Sequence, residues 1–291
     1  MFQKIFNKKM SKNFLIGIGI AVILVAGLIT IKDEFLFWIS TDENTASQDL
    51  NKCADGGNVA LIKIRGGIVN YSIDPKDDPN GIYYDPDSVS SDNVMREIEE
   101  AENNDAIKGI VVEIDSPGGI PVAGEEIMNS LLSLKMPTVA FIRERGLSAG
   151  YLVATAADKI YASRTSDVGS IGVTMSYMDY SKQNEKEGLT YNQLSTGKFK
   201  DMGDSDKELT AEEKSLLMSD LEKSHQIFVE YVAKNRNMDI EAVKKLADGS
   251  SMIAQDAIDA GLVDEIGGIN EAKAYLENKL GEAVKMCEYA K

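Results

Sequence analysis

The run GIVVEIDSPGG, residues 109–119, decides how the chain is read. Gly109 to Asp115 is a short, almost continuous apolar stretch, the pattern of a strand covered on both faces of a parallel sheet. Ser116-Pro117-Gly118-Gly119 then ends it as a turn. Working outward, helical patterns are predicted near Val89–Glu102 and Val122–Leu134, with a shorter one near Ala149–Ala157. Further strands are predicted at Val59–Ile64, at TVAFI (138–142) and at KIYAS (159–163). Strands of five to seven residues alternating with helices predict an α/β fold around a largely parallel sheet, with the site at the strand C-terminal ends. Beyond it, Leu209–Asn237 reads as a long amphipathic helix opened by a capping box, Thr210 with Glu213. Ile240–Leu246 and Ala254–Ala260 read as two short helices, and no internal repeat is evident.

The 291 residues carry 31 basic and 47 acidic side chains, a net charge of −16. The first forty contain five lysines against one Asp and one Glu, so the remainder holds 26 basic and 45 acidic residues, or −19. Such a surface repels phosphate backbones and excludes nucleic acid as the expected partner. A hydrophobic fraction of 43% excludes general disorder. Two cysteines, Cys53 and Cys287, make neither a disulfide framework nor a zinc site; whether they pair is left open. One histidine, His225, leaves little room for imidazole chemistry, and no metal or cofactor is expected.

Phe14 to Ile31 is free of charge for eighteen residues, which as a helix spans roughly 27 Å and nearly crosses a bilayer. Lys4, Lys8, Lys9 and Lys12 precede it, so the positive-inside rule places residues 1–13 in the cytoplasm and everything after the span outside the cell membrane. A cleaved signal peptide is the competing reading, but the apolar run exceeds the usual h-region and no A-x-A site follows. Residues 32–58, polar from 40 onward, read as a tether, and 59–291 as the extracytoplasmic domain. The six aspartates of the loop 71–92 lack calcium-loop spacing and read as a solvated loop.

Two turns attract chemical attention. The Gly118-Gly119 pair lets backbone N–H groups approach a ligand, half of an oxyanion hole, although a plain strand-to-helix turn would look the same. Ser148 opens the helix beginning AGYLVA, where free N–H donors favour the charge formed when a carbonyl is attacked; an ordinary serine cap reads identically. A serine nucleophile needs a base. His225 lies in a helical pattern in which a packed or surface histidine is the usual explanation, which leaves Lys200 of GKFKDMG (197–203). Acting as a base requires its pKa to fall from ~10.4 to about 7–8, roughly 4 kcal/mol, which burial can supply. From residue type alone, Lys200 is a solvated lysine.

Together these elements resemble the signal peptide peptidase A group, the membrane-anchored Ser/Lys proteases of peptidase family S49, related in fold to Clp protease and crotonase. DSPGG at 115–119, SAGY at 148–151, VGSIGV at 168–173, GKFKDMG followed by LTAEE, and AIDAGLVDEIGG at 257–268 agree in order and spacing over about Val59–Ala274. The resemblance implies Ser148 as nucleophile, Lys200 as general base, and Ser170 as the hydroxyl that orients the lysine amine. The oxyanion hole would come from the N–H of Gly118 or Gly119 together with that of Ala149. It further implies a homo-oligomer in which serine and lysine come from neighbouring subunits, acting on residual signal peptides or other short hydrophobic segments. The sequence departs from the family in ADGSSM (247–252), expected to touch no catalytic residue, and in the length of the acidic loop. Three rivals follow: a stomatin-type membrane Ser/Lys protease, whose extra C-terminal membrane helices the polar tail EAVKMCEYAK lacks; a coenzyme A-binding crotonase-type hydratase or isomerase; and a non-catalytic crotonase-fold scaffold.

Overall fold

The computed structural model describes residues 51–53, 56–73 and 87–289. The expected membrane segment 14–31, the cytoplasmic 1–13, most of the tether and residues 74–86 of the acidic loop lie outside the described residues. Among the described residues no helix is long and apolar enough to cross a membrane.

The strands are β1 (Asn51–Lys52), β2 (Val59–Arg65), β3 (Gly67–Val69), β4 (Ser88–Ser90), β5 (Gly109–Ser116), β6 (Thr138–Leu147), β7 (Lys159–Ala162), β8 (Asp167–Gly169), β9 (Ser251–Ile253), β10 (Glu265–Ile266) and β11 (Met286–Glu288). The helices are α1 (Ser91–Glu102), α2 (Pro121–Ser133), α3 (Ala149–Ala154), α4 (Ser181–Glu187), α5 (Ala211–Asn235), α6 (Ile240–Leu246), α7 (Ala254–Asp259) and α8 (Ile269–Leu280). The main sheet runs β1-β11-β2-β5-β6-β7-β10, every pair parallel, and β3 and β4 form a small parallel pair of their own. This is the α/β architecture expected from alternating helices and apolar strands.

The two faces of the sheet follow from strand alternation. Ala60, Ile62 and Ile64 of β2, Ile110, Val112 and Ile114 of β5, and Ala140 and Ile142 of β6 point to one side, into a core closed by α1, α2, α3 and α5. Each fully buried isoleucine there contributes roughly 1.5–3 kcal/mol relative to exposure. Val59, Leu61, Val111, Val139 and Phe141 point to the other side, where Ala272 and Leu276 of α8 cover part of it. Beyond that cover the same face carries Arg65 and Arg143 on Glu113 (2.6 and 3.4 Å) and Arg145 on Asp115 (3.5 Å).

β6 is five residues longer than the apolar run TVAFI. The apolar run pairs with β7 as far as Ile142↔Ala162, and the charged extension then pairs with β8 from Arg145↔Asp167 to Leu147↔Gly169. This exchange of partner places Ser148 directly after the last paired residue of β6, between the ends of β5 and β8.

Asn51–Lys52 pairs with β11, so the sheet reaches into the stretch read as tether. Cys53 and Cys287 form a disulfide across 234 residues, with Cα atoms 4.9 Å apart, and both are buried. The capping box predicted at Leu209–Asn237 is present: Glu213 N–H donates to Thr210 Oγ1, and the Thr210 N–H donates to Glu213 Oε2. The motif at 257–268 is structural, with Leu262 and Val263 buried and Asp264 accepting from the Ile160 N–H at 2.7 Å and from Arg236 at 2.8 Å.

Candidate active site

β5 and β6 end side by side, Ser116 opposite Gly146, so the turns after them meet. Ser148 follows β6 directly. Its backbone lies at φ 50°, ψ −123°, a left-handed conformation that costs a non-glycine residue energy and that surrounding contacts must enforce. Those contacts are visible: the Ser148 N–H donates to Gly169 O at 2.9 Å, and its carbonyl accepts from the Leu152 N–H at 2.9 Å. The Ser148 hydroxyl makes no cap bond to its own helix. It is therefore not the ordinary serine cap that its sequence position equally allows, and the first N–H groups of α3, Ala149's among them, lack helical partners.

Gly118 stands against this serine. A Cβ at Gly118 would lie 2.7 Å from Ser148 Cβ and 3.2 Å from the Ala149 nitrogen, at a φ of 103°. One at Gly119 would lie 2.1 Å from Ile68 O. Here the glycines are required for close approach, not merely tolerated. Ile68 bridges this turn, donating to Gly118 O (2.9 Å) and accepting from Ile120 N–H (2.8 Å), so the N–H of Gly119 points away from Ile68. The N–H of Gly118 is already used, donating to Ser116 Oγ at 3.1 Å, while that hydroxyl donates to Gly66 O at 2.7 Å. Of the two glycines named as oxyanion donors, only Gly119 has its N–H free of the turn's own bonding. Sequence reasoning passed over Ser116, whose small polar side chain under the turn is what removes Gly118 from the pair.

Ser170 follows β8 as Ser148 follows β6, one residue beyond the Leu147↔Gly169 pair, and shares its backbone sign at φ 49°. Its N–H donates to Ser250 O (2.9 Å) and its hydroxyl to Gly249 O (3.1 Å). The run ADGSSM thus does contact a proposed site residue, contrary to the expectation that it would not. A departure in side chains still supplies carbonyls at fixed places.

Ser148 lies where two concavities join. One, about 50 Å³, is walled by Leu152, Val173, Ile227 and Phe228 and floored by Tyr231, whose hydroxyl donates to Glu125 at 2.6 Å. That bond, with burial, pushes the Tyr231 phenol up. The other is an open groove of about 600 Å³ shared by Gly119, Ser148, Ser170, Leu221 and Gly249. His225 also lines the groove, and its buried Nε2 has no hydrogen-bond partner among the described residues.

Lys200 lines neither concavity. It sits exposed in the turn 198–203, with its N–H on Gly197 O at 3.1 Å. The fold thus brings together Ser148, Ser170, Gly119 and Ala149, and leaves Lys200 outside that group within one chain. Among the described residues no cluster of His, Cys, Asp or Glu could hold a metal ion.

Residues 130–283 match the model of Peptidase family S49. The chain is 30% identical over 293 residues to the putative signal peptide peptidase SppA of Enterococcus faecium, covering 94% of this chain and 83% of that protein. It is 35% identical over 182 residues to a putative protease of Methanocaldococcus jannaschii, covering 62% of this chain and 58% of that one. It is 28% identical over 217 residues to Protease 4 of Haemophilus influenzae, of which it spans a third.

Proposed function

The chain belongs to peptidase family S49, a serine endopeptidase class, and from that premise we propose that Ser148 is the nucleophile and Lys200 the general base of a Ser/Lys peptidase. The observation that carries this reading is the strained, uncapped Ser148, packed against Gly118 at the start of α3, beside a turn whose Gly119 N–H is left out of the turn's own bonding. Neutral Lys200 takes the serine proton, the alkoxide adds to a peptide carbonyl, the ammonium protonates the departing amine, and water hydrolyses the acyl-enzyme. Ser170 orients the amine. The Gly119 and Ala149 amides hold the oxyanion, an arrangement generally worth ~10²–10³ in rate per donor.

Because Lys200 lies outside the cleft of its own chain, the base is supplied by a neighbouring subunit. The segment between α3 and α5 supports this, since its large apolar residues face solvent: Met178 is 65% and Leu194 100% exposed, with Met175, Tyr177 and Leu189 also exposed. Patches of this kind mark protein contacts. The substrates are residual signal peptides and other hydrophobic segments, whose side chains suit the apolar wall beside Ser148. Residues 14–31 anchor the enzyme with its catalytic domain on the outer side, where a disulfide between Cys53 and Cys287 persists.

One observation favours a second reading. His225 shares the cleft with Ser148, and its Nε2 has no hydrogen-bond partner among the described residues, the features of a base within the chain. Mixing inactive Ser148→Ala and Lys200→Ala chains decides. Recovered peptidase activity in mixed oligomers is expected, with His225→Ala active. No recovery, with His225→Ala inactive, overturns the lysine assignment.

A further inference from the structure

The residue after the proposed base is a carboxylate, Asp201. Beside an ammonium it would hold the proton on, opposing the role of a base. The structure turns this carboxylate elsewhere. Asp201 accepts from Tyr191 OH at 3.1 Å through Oδ2 and from Gln193 Nε2 at 2.5 Å through Oδ1, and Lys207 Nζ lies 3.5 Å from that same Oδ1. Lys207 in turn donates to Glu213 at 2.5 Å, the residue that caps α5. The side chains of Asp201, Lys207 and Glu213 are only 14%, 18% and 3% exposed, so the group forms a partly dry link from the turn bearing Lys200 to the start of a 25-residue helix.

We infer that Lys207 is a positioning residue for Lys200: it engages the Asp201 carboxylate and ties the turn to α5, so that the adjacent amine is free to lose its proton. This rests on Lys200 being the base. The charged groups around the turn are Asp201 and Asp204 on the loop, Lys198 held by Glu212, and Lys207 held by Glu213. Among the described residues, Lys207 is the cation that joins the Asp201 charge to the helix, while Lys198 ties the turn to it through Glu212. Both Lys207 and Glu213 shift as a closed pair should, the ammonium upward and the carboxyl downward, their mutual hydrogen bond being the first cause of each.

The test is the pH profile of kcat/KM in the assembled full-length enzyme. Lys207→Met should move the acidic limb to higher pH by about one unit, a roughly tenfold loss on that limb with the alkaline plateau kept. Lys207→Arg should restore the limb. Asp201→Asn, which removes the carboxylate and leaves the cation, should move the limb to lower pH and serves should Lys207→Met fail to assemble. A merely structural role would lower the plateau with the limb fixed, and that result overturns the inference. Full activity in Lys200→Ala would instead sink the underlying base assignment, so the two failures are distinguishable.

Discussion

Gly118→Ala tests the site at its tightest contact. The new methyl would be built 2.7 Å from Ser148 Cβ, whereas carbon atoms settle at ~3.5–4.0 Å, so nucleophile and turn must part by about 1 Å. Misplacements of about 1 Å cost up to ~10²-fold in rate, close to 2.7 kcal/mol of barrier. Alanine at a φ of 103° adds a backbone cost of ~1–2 kcal/mol that has nothing to do with catalysis. Gly281→Ala isolates that second part: Gly281 caps α8 at φ 70°, with no atom within 4 Å of the added methyl. Both variants should melt a few degrees lower, at roughly 2–4 °C per kcal/mol for a domain of this size. Only Gly118→Ala should lose about a hundredfold in kcat on a fluorogenic peptide. A kcat within threefold of wild type in a folded, assembled Gly118→Ala enzyme would refute the claim that this packing sets the nucleophile.

Reducing the disulfide, or replacing Cys53 and Cys287 by serine, opens a link spanning 234 residues, for which loop entropy gives about 5 kcal/mol. Thermal unfolding followed by circular dichroism should fall by roughly 10–20 °C, and an unchanged melt would show that the edge strands hold without it. The Lys207 ammonium, and then the Thr210 N–H, hold the Glu213 carboxyl down at about 2, below its ordinary 4.5. A depressed carboxyl stabilises above its unfolded value and loses that contribution as pH falls toward the folded one. Melting temperature should therefore drop between pH 4.5 and 2 in the wild type and drop less in Glu213→Gln; parallel curves would contradict the pairing. Met178→Asp with Leu194→Asp should reduce the oligomer to monomer in sedimentation and abolish activity together, and an active monomer would place the base within one chain.

The apolar strands were legible because burial on two faces leaves a continuous hydrophobic signature, as in Val59–Arg65 and Gly109–Ser116. The extension of β6 through Arg143 and Arg145 was not, because those residues lie past the cover of α8, where arginines pairing with Glu113 and Asp115 replace hydrophobic contact. β1 and β11 are strands of two and three residues, too short for a period to show. At the site, residue type alone left Ser148 and the glycine turn undecided between cap and nucleophile. The distinction lies in a backbone angle and an unmade hydrogen bond, neither of which a sequence pattern carries. The bond from Gly118 to Ser116, and the approach of His225 to the cleft from a helix some eighty residues on, are likewise products of packing.

The placement of the pieces also explains why the site divides as it does. Ser148, Gly119 and Ser170 each follow a strand end or its turn, so sheet register fixes their separation to the precision of backbone hydrogen bonding. Lys200 follows no strand; its turn is held to a helix N-terminus by the Asp201–Lys207–Glu213 link and by Lys198 on Glu212. On the proposed reading, this rigid acceptor half and the separately braced donor half meet through a second surface, and the exposed apolar residues between Met175 and Leu194 are the one we propose for it. On that reading, a lysine amine carried against Ser170 and the apolar wall of a neighbouring cleft would lose hydration and with it the preference for the proton. Assembly would then create the base as well as deliver it, which keeps an unassembled chain from cutting peptides.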